Sequence, residues 1–342
     1  MTLWTRGAVC AVAVFAVGCS KKSSAPVPSP PAAKAPTVAP APAPAPTPAP
    51  SPTPAGTIKV NEADPVDGDV TLKAPSTVTA GSPIEVTFTG PANAQDYVDL
   101  VPRGTTQTSG ELTYVYVRDF AKGVGLVALG KPGEYDLRYV LDLKTARTVK
   151  AVVPLTITAA TAQLTAPAQA TGAEPLTIQW TGPGQPKDYV DIVPAGFTET
   201  SGEISYAYTR DGNPATVTAP GPAGAYQVRY VLDAPGGRVV LATSPLTVTT
   251  PVATVTAPEQ GAAGSKVVIE FTGPRRKGDY VDLVKKGYEA TSGELTYFYV
   301  AGQGETKNEL ELPKDKGQYD VRYVMEAPHG RVVLARRAIS VK

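Results

Sequence analysis

Three copies of one pattern occupy most of the chain, and this repeat is the feature that most limits how the chain can fold. The run Asp-Tyr-Val-Asp begins at Asp96 and returns at Asp188 and Asp279, a spacing of 91 or 92 residues. Such a period is too long for a solenoid unit and suits a whole sandwich domain. The sequence therefore divides into copy 1 (58–158), copy 2 (159–250) and copy 3 (251–342).

Within each copy, short β-rich runs are separated by Gly, Pro, Ser and Asn, and no helical periodicity is sustained. Seven runs at this spacing predict an all-β fold in which two antiparallel sheets form a sandwich. The strands predicted for copy 1 are residues 70–73, 84–89, 97–101, 112–117, 125–129, 135–141 and 148–157.

A tyrosine near the end of each copy carries a first resemblance. Tyr135 follows a glycine and a glutamate and precedes Leu137 by two residues. This run resembles the tyrosine corner of immunoglobulin-like domains, with an aliphatic residue where antibody domains place their second cysteine. The resemblance implies three tandem immunoglobulin-like β-sandwich domains. The equivalent pairs are Tyr226 with Val228 and Tyr319 with Val321.

The module as a whole is similar to the immunoglobulin-like repeats at the C-terminal end of some bacterial von Willebrand factor A domain proteins. The resemblance rests on the runs 180–183, 188–194 and 226–232, followed by Arg238, Leu241 and Pro245, and it covers most of residues 70–342. The Asp-x-Ser-x-Ser metal site of the von Willebrand domain is missing from this sequence, so metal-dependent adhesion is not implied.

The N-terminus predicts export. Arg6 precedes a short apolar run, and residues 16–19 read Ala-Val-Gly-Cys, which resembles the lipobox of bacterial lipoproteins. The resemblance implies a signal peptide over residues 1–18, cleavage before Cys19 and lipid on that cysteine. Ser20 implies sorting to the outer membrane, facing either the periplasm or the outside. The alternative is an ordinary secretion signal that happens to contain a cysteine.

Residues 19–57 form a lipidated Pro/Ala-rich linker in this interpretation. The stretch 25–55 holds 13 of the 35 prolines and cannot bury a core, so we expect a disordered tether. A polyproline II conformation would extend that stretch to about 90 Å. A spacer is favoured over a ligand for an aromatic-lined groove, because no flanking charge fixes the orientation of the repeated Ala-Pro units.

Composition excludes several chemistries. Lys+Arg number 32 and Asp+Glu 31, which leaves no basic surplus for a nucleic-acid partner. One histidine and two cysteines exclude Cys/His zinc sites and histidine-based triads. We therefore expect no enzyme activity and no cofactor, although composition alone leaves a glycosidase-type pair of carboxylates open. A calcium site is a weaker hypothesis that rests on Asn61, Glu62, Asp64, Asp67 and Asp69, which lack the full EF-hand spacing.

Strand alternation predicts a candidate surface. With Val98 and Leu100 pointing inward, Tyr97 and Asp99 should lie on the outer face of their strand. Because the third and sixth strands are neighbours in immunoglobulin-like sheets, Asp99 should form an exposed ion pair with Arg138. The same pattern places Tyr189, Asp191, Tyr280 and Asp282 outward, with Arg229 and Arg322 as the partners of the two aspartates. A structural role for these residues competes with ligand binding.

Two further repeated features have open interpretations. The strand 112–117 keeps Leu or Ile and two tyrosines on one face, which we expect to be the core, although exposed tyrosines could stack on sugars. The loop Thr-Ser-Gly-Glu has either a local role, with glycine at positive φ and the glutamate paired to an arginine, or a binding role. Its candidate residues are Ser109, Glu111, Ser201, Glu203, Ser292 and Glu294.

These observations together predict a non-catalytic outer-membrane lipoprotein, held at the membrane by its N-terminal lipid. It would present three immunoglobulin-like modules for protein binding or scaffolding, with an envelope protein as its partner. The alternative is a carbohydrate-binding or peptidoglycan-binding lipoprotein that uses exposed tyrosines and has a cell-wall polymer as its partner.

Overall fold

A computed structural model of the chain describes residues 58–300 and 304–342. The described residues form three tandem immunoglobulin-like β-sandwiches, one per copy, each with its own apolar core. The all-β prediction is confirmed. The signal peptide, Cys19 and the Pro/Ala-rich linker lie outside the described residues.

Copy 1 contains nine strands and one short helix. The strands are β1 (Thr71–Lys73), β2 (Thr77–Thr79), β3 (Pro83–Ile84), β4 (Thr87–Thr89), β5 (Tyr97–Pro102), β6 (Thr113–Tyr116), β7 (Leu126–Val127), β8 (Gly133–Leu143) and β9 (Ala146–Thr158), and the helix is α1 (Val117–Phe120). The predicted run 84–89 is therefore interrupted, because β3 pairs with β7 whereas β4 pairs with β1. The prediction also missed β2, which pairs in parallel with β9.

Copies 2 and 3 repeat this architecture. Copy 2 comprises β10 (Gln163–Thr165), β11 (Gln169–Thr171), β12 (Pro175–Thr181), β13 (Tyr189–Pro194), β14 (Ser205–Tyr208), a 3-10 turn (Thr209–Asp211), β15 (Ala215–Thr218), β16 (Gly224–Ala234) and β17 (Gly237–Thr249). Copy 3 comprises β18 (Thr254–Thr256), β19 (Gln260–Gly261), β20 (Lys266–Thr272), β21 (Tyr280–Lys285), β22 (Thr296–Tyr299), β23 (Lys307–Glu311), β24 (Gly317–Met325) and β25 (Val332–Val341).

A five-stranded sheet in each copy carries the candidate residues. Its strand order is β2-β9-β8-β5-β6 in copy 1, β11-β17-β16-β13-β14 in copy 2 and β19-β25-β24-β21-β22 in copy 3. The second sheet of copies 2 and 3 has three strands, in the orders β10-β12-β15 and β18-β20-β23. The third and sixth predicted strands correspond to β5 and β8. These two strands pair as predicted, which brings Asp99 opposite Arg138.

The tyrosine corner is confirmed in every copy. The hydroxyl of Tyr135 donates to the carbonyl of Lys131 at 3.0 Å. Tyr226 bonds the carbonyl of Pro222 at 3.0 Å and Tyr319 that of Asp315 at 2.9 Å. The aliphatic residues two positions later, such as Leu137, are fully buried.

Neighbouring copies meet through the same joint twice. The amide of Gly130 donates to the carbonyl of Pro235 at 3.1 Å, and the amide of Gly221 donates to that of Pro328 at 3.0 Å. A Cβ on Gly221 would lie 2.5 Å from the Cβ of Ala327, so the joint requires glycine at this position. At the end of copy 3 the equivalent residue is Lys314.

Candidate functional site

The outer face of the five-stranded sheet, which points away from the sandwich core, carries two different surfaces. Tyr97 and Asp99 of β5 lie on it, as alternation predicts, while Val98 and Leu100 enter the core. The loop between β5 and β6 (103–112, here the cover loop) folds across part of this face. Its counterparts are residues 195–204 in copy 2 and 286–295 in copy 3.

The Asp–Arg pair under the cover loop exists in all three copies, but the expected exposure was wrong. Arg138 donates to Asp99 through Nε at 2.9 Å and Nη2 at 2.6 Å, and both residues are fully buried. Its Nη1 donates to the carbonyl of Gln107 at 2.6 Å. The loop carbonyls thus accept hydrogen bonds from the guanidinium N–H groups that do not bind the carboxylate. A buried guanidinium requires such partners for its remaining donors.

Copies 2 and 3 reproduce this geometry. Arg229 binds Asp191 at 3.0 and 2.6 Å and the carbonyl of Glu199 at 2.6 Å. Arg322 binds Asp282 at 3.0 and 2.6 Å and the carbonyl of Ala290 at 2.8 Å. Burial raises the pKa of each of the three aspartates, and the hydrogen bonds from the arginine oppose that rise. The pair therefore fastens the cover loop to the sheet.

The candidate tyrosines of the Asp-Tyr-Val-Asp motif are also buried. Tyr97, Tyr189 and Tyr280 are at most 3% exposed. Their hydroxyls donate to the carbonyls of Thr108, Thr200 and Thr291 at 3.1, 2.9 and 2.8 Å. A ligand on the outside could not stack on these rings. Their role in the structure is to hold the Thr-Ser-Gly-Glu end of the cover loop.

The Thr-Ser-Gly-Glu segment partly follows its predicted local role. Gly110, Gly202 and Gly293 have φ of +91°, +90° and +87°, and Ser109, Ser201 and Ser292 are exposed. Glu203 pairs with Arg238 at 3.7 Å. Among the described residues, Glu111 and Glu294 have no such ion pair, and the Oε2 atom of each is buried without a hydrogen-bond partner.

An arginine that the sequence reasoning did not assign completes this region. Arg147 lies over the ring of Tyr97 at 5.7 Å and pairs with Asp142 at 2.9 Å. Arg238 and Arg331 lie over Tyr189 and Tyr280 at 5.3 and 5.4 Å. The signal that could have found them is the arginine that recurs shortly after the Arg-Tyr-Val run of each copy.

The first aspartate of the motif has a separate structural role. Asp96 accepts hydrogen bonds from the hydroxyl of Tyr139 at 2.7 Å and the amide of Asp142 at 2.9 Å. Asp188 and Asp279 make the same contacts in copies 2 and 3, with Tyr230 and Tyr323 as the hydroxyl donors. Burial raises the pKa of these tyrosines. All three aspartates are fully buried.

Beside the covered region, the edge strand of the sheet exposes tyrosines. The register pairs Tyr97 with Tyr116 and Asp99 with Tyr114, so these tyrosines share the outer face. Tyr114, Tyr206, Tyr297 and Tyr299 are 46%, 50%, 51% and 62% exposed. The prediction that this face is the core was wrong. Instead the opposite residues, Val115, Ala207 and Phe298, pack on the three cores.

We name this exposed row the tyrosine stripe. Its rings meet edge to face, with centroids 5.3, 5.4 and 5.5 Å apart in copies 1, 2 and 3. The inner tyrosine supports it from below, because Tyr97 contacts Tyr114 at 5.8 Å. The stripe comprises Leu112, Tyr114 and Tyr116; Ile204, Tyr206 and Tyr208; and Leu295, Tyr297 and Tyr299.

Two of the carboxylates proposed for calcium form ion pairs with lysines. Asp64 pairs with Lys144 at 2.6 Å and Asp67 with Lys150 at 2.5 Å, and these lysines hold the pKa of both aspartates below its usual value. Within residues 58–300 and 304–342, no group of three or more His, Cys, Asp or Glu side chains is placed to hold a metal ion.

No helix in that part of the chain is long and apolar enough to span a membrane.

No protein-family model and no curated protein matches the chain. Several solved structures resemble it at low identity. Drosophila OTK extracellular domains 3–5 are 14% identical with a TM-score of 0.23, and the match covers 81% of this chain and 98% of that one. Sidekick-1 immunoglobulin domains 1–5 have the same identity and TM-score over 80% and 58%.

A third similar structure is chicken CNTN1 domains FN1–FN3, at 13% identity and a TM-score of 0.21, with 80% of this chain and 98% of that chain covered. Identities this low concern the fold alone. The assignment of the immunoglobulin-like fold is carried by the sheet orders and tyrosine corners described above.

Proposed function

We propose that this chain is a non-catalytic lipoprotein of the bacterial outer membrane that presents three immunoglobulin-like modules for protein binding or scaffolding. The observation that carries the proposal is the tyrosine stripe. Half-exposed tyrosine side chains recur on the same edge strand of every copy. Tyrosine and arginine are the residues that most often dominate the energy of protein interfaces.

The comparison between copies supports a binding role for the stripe. The residue that faces the core from this strand varies from Val115 to Ala207 to Phe298, whereas the two outward tyrosines are the same in every copy. A core accepts exchanges among its own apolar side chains. Core packing therefore does not explain why the residues on the solvent side of this strand are identical. A surface that meets a partner would require them.

Three copies of one surface also favour scaffolding. The same glycine-to-carbonyl bond joins copy 1 to copy 2 and copy 2 to copy 3. A partner with repeated epitopes would bind several stripes together, and its second contact would form at a high effective concentration. In this proposal the lipid on Cys19 supplies the membrane attachment, and the Pro/Ala-rich linker supplies distance from the bilayer.

The buried carboxylates support the non-catalytic part of the proposal. Asp99 is held by two bonds from Arg138, and Asp96 by a hydroxyl and a main-chain amide. Neither side chain is exposed to a substrate. In this proposal both serve the architecture of the sheet and its loop.

Carbohydrate or peptidoglycan binding is the second candidate, and the exposed rings favour it specifically. Tyr97 and Tyr189 are buried, so the rings available for stacking on a sugar are those of Tyr114, Tyr206 and Tyr297. Retention on purified cell-wall fragments that is lost on Tyr→Ser substitution in the stripe would support this second candidate.

The main proposal is tested in two steps. Metabolic labelling with an alkyne fatty acid should mark the wild-type chain and not Cys19→Ser; an unlabelled wild type would contradict the lipoprotein assignment. A photo-cross-linking amino acid at position 206 should then capture a protein in cells, and the same group at exposed Val252 is the control. Equal capture at both positions would contradict a binding role for the stripe.

A further inference from the structure

The tyrosine stripes of copies 1 and 2 each hold an arginine of their own chain. The guanidinium of Arg118 lies 4.4 Å from the centroid of the Tyr116 ring. Arg210 takes the same position over Tyr208, at 4.3 Å. In both copies the arginine comes two residues after the tyrosine. The second tyrosine of the stripe is therefore a site at which a guanidinium stacks.

Copy 3 has the tyrosine without the arginine. The residue two positions after Tyr299 is Ala301, and the run 301–304 reads Ala-Gly-Gln-Gly, which contains no cation. Tyr299 is 62% exposed, whereas Tyr116 and Tyr208 are partly buried. Among the described residues, no lysine or arginine lies over its ring. Copy 3 thus offers to an outside group the position that is occupied in the other two copies.

A groove with carboxylates is lined by Tyr297, the neighbour of Tyr299 in the stripe, whose ring lies 5.5 Å from that of Tyr299. It has a volume of about 400 Å³ and is lined by Tyr297, Leu295, Glu309, Glu311 and Lys266, among others. The ammonium of Lys266 is 3.6 Å from Glu309, with both side chains more than 60% exposed, and pairs of this kind are weak. Two carboxylates against one ammonium give the groove a net negative charge.

The acidic wall of the groove is peculiar to copy 3. At the position of Glu311, copy 2 has Thr218 and copy 1 has Val127; at the position of Glu309, copy 2 has Thr216. The copy that lacks its own arginine is therefore the copy that adds carboxylates beside the stripe. Both differences favour a cation supplied from outside.

We propose that the tyrosine stripe of copy 3 binds an arginine side chain of a partner protein, stacked on Tyr299 in the way that Arg118 stacks on Tyr116, with the carboxylates of the groove at Tyr297 as its counter-charge. This inference rests on the proposed role of the stripe in protein binding and names the partner's contact residue. Arginine fits better than lysine, because its planar guanidinium stacks on a ring and still donates hydrogen bonds in its plane.

The test is a titration of the full chain with a five-residue peptide that carries one arginine between leucines. The comparison peptide has citrulline, which keeps the shape and lacks the charge. We expect the arginine peptide to bind about tenfold more tightly. Chemical shifts of Tyr299 in NMR spectra would report the position of the contact. Equal binding of the two peptides, or no binding of the arginine peptide at millimolar concentration, would overturn the inference.

Two substitutions sharpen the test from opposite directions. Tyr299→Ser removes the ring, and Ala301→Arg supplies the missing guanidinium from the chain itself. Each should weaken binding of the arginine peptide by about tenfold, and Glu311→Thr should weaken it by less. Val252→Ser, which changes an exposed apolar residue elsewhere in copy 3, is the control and should have no effect.

Unchanged binding by both Tyr299→Ser and Ala301→Arg would overturn the arginine site. That result would leave the scaffold proposal standing if position 206 still captures a protein in cells. Loss of binding in the Ala301→Arg variant carries particular weight, because this substitution introduces the residue type that copies 1 and 2 have at the equivalent sequence position and leaves the Tyr299 ring in place.

Discussion

One face of one sheet carries two regions with opposite surroundings. Under the cover loop, Asp191 and Arg229 are fully buried, whereas Tyr206 on the adjacent edge strand is half exposed. Cross-strand pairing places Asp191 directly beside both Arg229 and Tyr206. The two regions differ because the cover loop crosses only the inner part of the face. The covered part stabilises the module and the open part is free to meet a partner.

The largest expected effect is in the covered region. Asp191→Ala leaves the guanidinium of Arg229 buried without its carboxylate, which costs about 3–5 kcal/mol in the free energy of unfolding. Trp180 lies in copy 2, with its ring 5.7 Å from that of Tyr230. Urea unfolding followed by Trp180 fluorescence, in a Trp4→Phe background, measures the loss in this copy.

The double variant Asp191→Leu with Arg229→Met is the control. It removes both charges and replaces them with apolar side chains, so it should cost less than the single substitution. A single substitution that costs under about 1 kcal/mol would mean that water reaches Arg229, in contradiction with its full burial.

The second expected effect is a loss of stability at alkaline pH. Burial raises the pKa of Tyr189 from its ordinary value of 10.0 to about 12. A raised pKa in the folded state means that the contribution of this phenol is complete below pH 10 and is lost as the pH rises toward 12. The hydroxyl must keep its proton to donate to the carbonyl of Thr200 at 2.9 Å.

Tyr189→Phe has no proton to lose at this position, so its unfolding free energy should fall less between pH 10 and 12. Trp180 fluorescence in urea at several pH values would measure the difference. Tyr226 and Tyr230 also have raised pKa values. Part of the dependence of the unfolding free energy on pH therefore remains in the variant. Identical slopes in the two proteins would contradict a buried, donating Tyr189 hydroxyl.

The third effect concerns the glycine of the cover loop. Gly110 has φ of +91° with nothing within 4 Å of its Cβ position, so Gly110→Ala should cost only the backbone strain, about 1–2 kcal/mol. Gly293 has φ of +87°, and its Cβ would lie 2.7 Å from the hydroxyl of Tyr288. Gly293→Ala should therefore cost slightly more, because Tyr288, whose ring centroid lies 5.9 Å from the guanidinium of Arg322, must move.

Hydrogen exchange of the amides in β8 and β24 measures these two costs copy by copy. A larger loss for Gly110→Ala than for Gly293→Ala would contradict the positions of the two loops. A loss near zero for both would show that the loop does not hold its left-handed glycine in solution.

The sequence predicted the fold well because its signals are local. Alternation along β5 identified the outward residues Tyr97 and Asp99, and the tyrosine corner identified the strand that carries Arg138. The topology then brought Asp99 opposite Arg138, as expected. Each of these steps needs only the period of a strand and the order of strands in a known sandwich.

Exposure on the outer face was not predictable in the same way. Whether Asp99 is covered depends on the path of residues 103–112, and no periodicity describes a loop that is held by the donors of Arg138 and Tyr97. The tyrosines of β6 were assigned to the core because they are identical in all copies. Variation among Val115, Ala207 and Phe298 was the better signal, since all three are apolar and fill the core differently.

The smallest expected effect on stability is in the open region. Tyr206→Ser removes a half-exposed ring whose nearest aromatic partners, Tyr208 and Tyr189, lie 5.4 and 6.0 Å away. Contacts of this kind contribute about 0.5–1.5 kcal/mol, so the unfolding free energy of copy 2 should fall by about 1 kcal/mol or less. Trp180 fluorescence again measures it. A cost as large as that of Asp191→Ala would make the stripe part of the structural framework. A small cost together with lost capture of a partner would separate the two regions by function as well as by burial.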